Sequence, residues 1–191
     1  MGAVNLEIFR AINGWSDSFS PFLTFFSVAL NQIWVKVALG LLLLGMLWRN
    51  ERTRQTVIQA LIAVALGNTL TDQFKHFLPM NRPYQDFHDV INRVGTSDSH
   101  GTASAHSANM AAVAFIFAYN LRWWGSPWVA VALLTGISRI YVGAHYPYQV
   151  LLGWSTGLIS AFAVAKVWEG IQRKRNPVIE GGAPDAIAKE T

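Results

Sequence analysis

The chain of 191 residues contains no cysteine and little charge: 14% of its positions are Asp, Glu, Lys or Arg. An ordinary soluble domain carries about 25%. The first absence excludes a disulfide framework and any thiol chemistry. The second, beside 52% hydrophobic residues, excludes a disordered chain and argues against a water-soluble globule. No repeat of fixed period runs through the sequence, so collagen-like and solenoid architectures are out as well. Nor is there a basic stripe: the net charge of +4 comes from 15 Lys and Arg diluted in apolar sequence, with no nucleic-acid-binding signature behind it. A single compact membrane domain is the reading that remains.

Six apolar runs are present, near 18–31, 33–48, 56–74, 105–121, 127–143 and 147–168. A helix through the hydrocarbon core needs about 20 mostly apolar residues. The first run is the weakest, because Ser18, Ser20, Pro21 and Asn31 crowd its ends. The expectation is therefore an all-α polytopic protein with six transmembrane helices, occupying residues 1–175 as one domain. Ahead of the spans, Val4, Ile8, Ala11 and Ile12 share one face of a helix over 3–13, which predicts an interfacial helix. No cleavable signal precedes the first run. The tail over 176–191 has Pro, Gly and charge without periodicity, which predicts disorder. Trp34, Trp48, Trp123, Trp124, Trp128 and Trp168 fall near span ends, where an aromatic belt belongs.

Lysine and arginine set the orientation. With the N-terminus inside, one face holds Arg10, Arg49, Arg52, Arg54, Arg122, Lys166, Arg173, Lys174, Arg175 and Lys189. The other holds Lys36, Lys75, Arg82, Arg93 and Arg139. Both termini are thus expected in the cytoplasm and the long loop over 75–104 outside. Loops of that length without structure are usually functional or disordered.

That loop opens on Lys75 and Arg82-Pro83 and closes on Ser104 and His106, while Arg139 and His145 bracket the end of the fifth run. Singly, each has an ordinary explanation: a lysine can snorkel, and a loop histidine such as His76 or His88 is most often solvated. Arg139 in an apolar span is costly and suggests function or a buried partner. His100 and His106 lack zinc-ligand spacing, so no metal is expected. Ser104 sits in no G-x-S-x-G elbow, which argues against a serine hydrolase. Together the residues read as a phosphate site. Arginine forks match phosphate oxygens, lysine adds a point charge, and Ser104 with the first amides of the fourth helix supplies neutral donors. Two histidines can divide the roles of nucleophile and general acid without a metal or other cofactor.

These blocks resemble the signature of the type-2 phosphatidic acid phosphatase superfamily of integral membrane lipid phosphatases. Its pattern is K-x6-RP, then PSGH, then SR-x5-H-x3-D. The chain has KHFLPMNRP at 75–83, ASAH at 103–106 and SRIYVGAHYPYQ at 138–149. The resemblance covers the third run to the sixth. It implies that Lys75, Arg82, Arg139, Ser104 and the Ala105 amide hold phosphate. It also implies that His145 forms a phosphohistidine and that His106 protonates the leaving group. Ala103 and Ala105 replace the family's Pro and Gly. Gln149 stands where the family's Asp would orient the nucleophilic histidine. A glutamine carbonyl can still accept the imidazole N–H, but it brings no negative charge, a loss of roughly 1–4 kcal/mol in a partly wet site.

The reading is an outward-facing phosphatase of a bacterial inner membrane. It would act on a polyprenyl diphosphate, phosphatidylglycerophosphate, phosphatidate or lipid A phosphate, with membrane lipids around it and neither nucleic acid nor a protein partner. Two rivals stand beside it. One is a phosphotransferase using a polyprenyl diphosphate donor. The other is a lipid-phosphate binder whose chemistry Gln149 has weakened.

Overall fold

The structure, a computed structural model, describes residues 2–29 and 32–175. All regular structure among them is helical. The helices are α1 (Ala3–Asn13), α2 (Ser20–Val28), α3 (Ile33–Arg49), α4 (Glu51–Phe77), α5 (Pro83–Asp86), α6 (Ala105–Leu121), α7 (Ser126–Tyr141) and α8 (Pro147–Arg175). Short 3₁₀ turns at Asp17–Phe19 and Arg122–Gly125 precede α2 and α7. The expected disordered tail over 176–191 lies outside the described residues.

Local chemistry sets the boundaries. Asn50 ends α3 in an extended conformation and caps α4, its side chain accepting the Thr53 N–H at 3.0 Å. Thr53 Oγ1 reaches back to the Met46 carbonyl at 2.6 Å, so the chain reverses at one residue. Ser104 caps α6 by accepting the Ser107 N–H. Pro127 and Pro147 stand in the opening turns of α7 and α8, where a missing N–H costs nothing.

Small residues bring α4, α6 and α8 close together. Ala60, Ala63, Ala112, Ala161 and Ala165 form much of the core beside Ile116 and Phe117. At Gly157 a Cβ would lie 2.1 Å from the Ala108 carbonyl oxygen, and at Gly153 it would lie 2.4 Å from that of Ser104. Only glycine permits this approach. Polar residues share this interior while large apolar ones face outward: Thr56, Gln59, Thr71, Thr156 and Ser160 are buried, and Leu41, Leu61, Ile62, Leu133, Ile159, Phe162 and Val167 are exposed. Exposed apolar area on this scale marks a surface that something other than water covers.

Among the described residues α8 alone passes as a membrane span by length and composition; residues 17–28 and α3 pass only as a pair, bent by 57°. Six spans are therefore not shown, and the first of the six expected has the shortest helix. α2 has nine residues, about 14 Å at 1.5 Å per residue, well short of a bilayer core of about 30 Å. Its approach is fixed where Asp17 pairs with Arg93 of the long loop at 2.9 Å. Its far end is fixed where Ser27 holds Arg139 at 2.6 Å and Val28 lines the same cavity as His145. Both ends of α2 therefore lie at one end of the bundle. Five helices, α3, α4, α6, α7 and α8, run between the two ends.

α1 lies at that same end. Phe9 packs edge-on against Tyr146, with ring centroids 5.2 Å apart. Asn5 Oδ1 accepts the Tyr148 N–H, and Asn13 bonds Ile91 and Tyr141. α8 starts beside these residues and leads away for 29 residues, about 43 Å. Gly2 and Arg175 thus mark opposite ends of the described helices, whereas the charge count expected both termini on one side. The reason is physical: an apolar run reports that a segment avoids water, not whether it crosses or lies along the bundle's end.

Candidate active site

A cavity of about 300 Å³ opens at the end where α4 finishes, α6 begins and α7 turns into α8. Lys75, Arg82, Ala105, His106, Arg139 and His145 all line it. Residues 70 positions apart in sequence meet there because the ends of α4, α6 and α7 stand at one level.

His145 is 3% exposed. Its Nδ1 lies 3.2 Å from the Gly101 carbonyl oxygen and 3.2 Å from Gln149 Oε1. Both partners accept, so Nδ1 carries the proton and Nε2 carries the lone pair. The orientation of the Gln149 amide is itself determined. Oε1 also accepts the Tyr146 N–H at 3.1 Å, while Nε2 donates to the Asn81 carbonyl at 2.9 Å and to the Tyr148 hydroxyl at 3.1 Å. Burial, then the charges of Arg139 and Arg82, hold the His145 pKa well below the ordinary imidazole range, partly offset by the bonds to Gln149 and Gly101. The ring is neutral at neutral pH, as a nucleophile must be.

Arg82 is buried beside it. Its Nε donates to the Ser99 carbonyl and Nη2 to the Ser99 hydroxyl, both at 2.8 Å, and Nη1 reaches the Ala144 carbonyl and His145 Nε2, each at 3.3 Å. Burial lowers its pKa, but a guanidinium remains charged. Arg139 is 8% exposed and anchored by Nη1 on the Ser27 hydroxyl at 2.6 Å; its Nε is buried without a partner. A buried N–H donor without an acceptor is costly, and a phosphate oxygen in the cavity would satisfy it. Lys75 pairs with Asp72 at 3.1 Å on the rim.

Two expected residues stand behind the cavity rather than in its wall. Ser104 is fully buried, and its hydroxyl accepts from the N–H and hydroxyl of Ser107. Its part is to cap α6, which leaves the first helical amides, those of Ala105 and His106, without intrahelical acceptors. Gln149 reaches the site only through His145. Of the carboxylates on this side, Asp72 pairs with Lys75, Asp86 accepts from Tyr146 and Asn81, and Asp89 pairs with Arg10. Among the described residues, both acceptors at His145 Nδ1 are neutral.

Sequence reasoning missed Ser99, Ser27, Gly101 and Asn81, the groups that hold the arginines, the histidine and the glutamine. The serine-rich run TSDSHGTAS over 96–104 carried a faint signal for Ser99. Nothing in the sequence pointed to Ser27, on a helix read as a span.

Comparison with known proteins gives the family. Residues 56–173 match the PAP2 superfamily, a stretch that includes Lys75, Arg82, His106, Arg139, His145 and Gln149. Undecaprenyl-diphosphatase BcrC of Bacillus subtilis (strain 168) is 31% identical over 166 residues, 83% of this chain and 81% of its own. The lipid A 4'-phosphatase of Porphyromonas gingivalis is 28% identical, over 86% of this chain and 73% of its own. The crystal structure of Aquifex aeolicus LpxE superposes with a TM-score of 0.73 at 26% identity, covering 86% of this chain and 96% of that one. On the extent of that match and on a shared fold, the chain belongs to the PAP2 superfamily.

Proposed function

We propose that the chain is a metal-independent lipid phosphatase that removes the terminal phosphate of a lipid monophosphate or diphosphate, with undecaprenyl diphosphate as the first substrate to test. The relatives named undecaprenyl-diphosphatase support that choice. The observation that carries the chemistry is His145: buried, neutral, held at Nδ1 by two carbonyls, its Nε2 beside a cavity that two arginines and a lysine line.

In the proposed reaction, Arg82, Arg139 and Lys75 bind the terminal phosphate, and the Ala105 and His106 amides take a further oxygen. The Nε2 lone pair attacks phosphorus. An N–P bond forms as the P–O bond to the leaving group breaks, and His106 donates a proton to the departing oxygen. The leaving group is the lipid alcohol from a monophosphate, or the lipid monophosphate from a diphosphate. Water then attacks phosphorus and gives its proton to His106. The N–P bond breaks, which restores His145 and releases inorganic phosphate. The arginines carry the charge of both transition states, the role a metal would otherwise fill.

The five bundle-length helices are proposed to cross a bacterial inner membrane, with the cavity facing the exterior or periplasm. Arg49, Arg52, Arg54, Arg122, Arg173, Lys174 and Arg175 lie at the opposite end, and a basic excess marks the cytoplasmic side.

The test is phosphate release by the purified protein in detergent with EDTA, on undecaprenyl diphosphate, phosphatidylglycerophosphate, phosphatidate and lipid A. Release that survives EDTA and disappears in His145→Ala is the expected result. Release unaffected by His145→Ala would overturn the mechanism, and tight binding without turnover would make the chain a binder.

A further inference from the structure

A second cavity, of about 360 Å³, lies at the other end of the bundle, where α3 meets α4 and α6 meets α7. α6 begins at the first site and ends at this one, 17 residues later, about 25 Å away. Its mouth is polar, with Arg49, Asn50, Arg52 and Thr53; its floor is apolar, with Met46 and Phe117 among the residues there. We propose that this cleft binds the phosphodiester headgroup of an anionic phospholipid, one acyl chain lying on the apolar floor. The inference rests on the membrane reading above but not on the phosphatase chemistry.

Three observations point to that ligand. First, the arginines lack counter-charges: among the described residues, none of Arg49, Arg52, Arg54 and Arg122 has a carboxylate within 4.0 Å. Second, donors at and next to the cleft lack acceptors. Arg52 is held in place by its Nε, which donates to the Asn120 carbonyl, and its two Nη groups make no hydrogen bond to the described residues. The Asn120 side chain has its Nδ2 buried and unpartnered. An exposed guanidinium tethered at Nε with its fork free is suited to two oxygens of one phosphate. Third, the wall is strained. Arg122, in the turn between two cleft residues, Leu121 and Trp124, has φ 55° and ψ −122°. This is the backbone of the first central position in a type II′ turn, where glycine is the residue of choice. Strain of this kind concentrates at ligand clamps.

The mixture of mouth and floor selects the ligand. Inorganic phosphate would satisfy the arginines and leave the apolar floor wet; a zwitterionic lipid would bring an ammonium group beside Arg49 and Arg52. An anionic diester lipid matches both parts. Because it carries no terminal phosphate monoester, it is also no substrate for the first cavity.

The experiment is native mass spectrometry of the whole chain, released from nanodiscs that contain phosphatidylglycerol and phosphatidylcholine in equal amounts. A melting curve in each lipid is recorded alongside. Retention of phosphatidylglycerol over phosphatidylcholine is expected. It should fall roughly thirtyfold in Arg49→Gln/Arg52→Gln, about fivefold for each arginine. Arg82→Ala, at the other cavity, should retain the preference while losing phosphate release; Arg49→Gln/Arg52→Gln should do the reverse. Arg122→Gly should raise the melting temperature and weaken lipid retention together. Equal retention of the two lipids, or a preference that survives Arg49→Gln/Arg52→Gln, overturns the proposal. So does an equal loss in Arg173→Gln/Lys174→Gln, which would mean diffuse surface charge and no site. Should the arginine pair fail to fold, Arg49→Lys/Arg52→Lys retains charge without the fork and is expected to lose most of the preference. An absence of phosphate release from the wild type would count against the proposed reaction and leave this result intact.

Discussion

His145 and Gln149 show how far a single residue's chemistry depends on its neighbours. Gln149 uses both ends of its amide, accepting from His145 and Tyr146 and donating to Asn81 and Tyr148. In the proposed mechanism it is a positioning residue, acting on phosphate only through the imidazole. Gln149→Asp replaces a neutral acceptor by an anion near His145 Nδ1. The anion favours the imidazolium, so the His145 pKa rises from its depressed value. The nucleophile is then protonated at a higher pH, and the acid limb of the kcat/KM profile should move upward relative to wild type. A profile with an unmoved acid limb would place the titrating group elsewhere. Arg139→Lys is a second test at this scale. It retains the charge but loses the unpartnered Nε, and kcat/KM should fall about a hundredfold, as when one transition-state donor is removed. Steady-state phosphate release checks it. The reactive side chains were legible in the sequence because three spaced blocks carry them. Their supports were not: Gly101 and Asn81 act through backbone carbonyls, which every residue has, and Ser27 acts from a helix far off in sequence.

Helices transmit these positions, and they do so through small residues. α8 carries Gln149 and, four and eight residues on, Gly153 and Gly157, which lie against α6 at Ser104 and Ala108. Gly157→Ala places a methyl group where a backbone carbonyl already stands, so α8 must move away from α6. Overpacking of this type costs about 1–3 kcal/mol, and the shift travels to the His145 support. A lower melting temperature together with reduced kcat is expected, from thermal unfolding in detergent and phosphate release. Phe9→Ala acts on the other flank. Phe9 is 1% exposed and packs on Tyr146, next to His145, and truncating a buried Phe costs about 3–5 kcal/mol. Two of the expected runs begin with α6 and α8, at Ala105 and Pro147, whereas α4 starts five residues ahead of the expected 56, at the Asn50 cap. The place of α2 was not legible: its Phe-rich run is as apolar as a span, but Asp17–Arg93 and Ser27–Arg139 tie both its ends to the catalytic side.

At the scale of the whole molecule, that one helix decides the topology. If α2 crossed, α1 would lie with Arg49 and Arg173, and both termini would share a side. With α2 at the catalytic end, α1 lies beside His145, and on the membrane reading proposed above the chain would cross an odd number of times. Counting lysine and arginine could not discriminate, because only Arg10 changes sides and the basic excess stays with Arg49, Arg52 and Arg173. The absence of native cysteine makes a direct test simple. Val4 in α1 is 68% exposed, and Trp123, in the turn before α7, is 87% exposed. Val4→Cys and Trp123→Cys, each made singly, are treated in intact bacterial spheroplasts with a membrane-impermeant maleimide. Val4→Cys should react at once, and Trp123→Cys only after the membrane is opened. Thr96→Cys, in the loop lining the catalytic cavity, should react like Val4→Cys. If Val4→Cys instead behaves like Trp123→Cys, the N-terminal helix is on the cytoplasmic side, α2 must cross, and the contacts of Asn5, Phe9 and Asn13 with the catalytic end would have to be given up together.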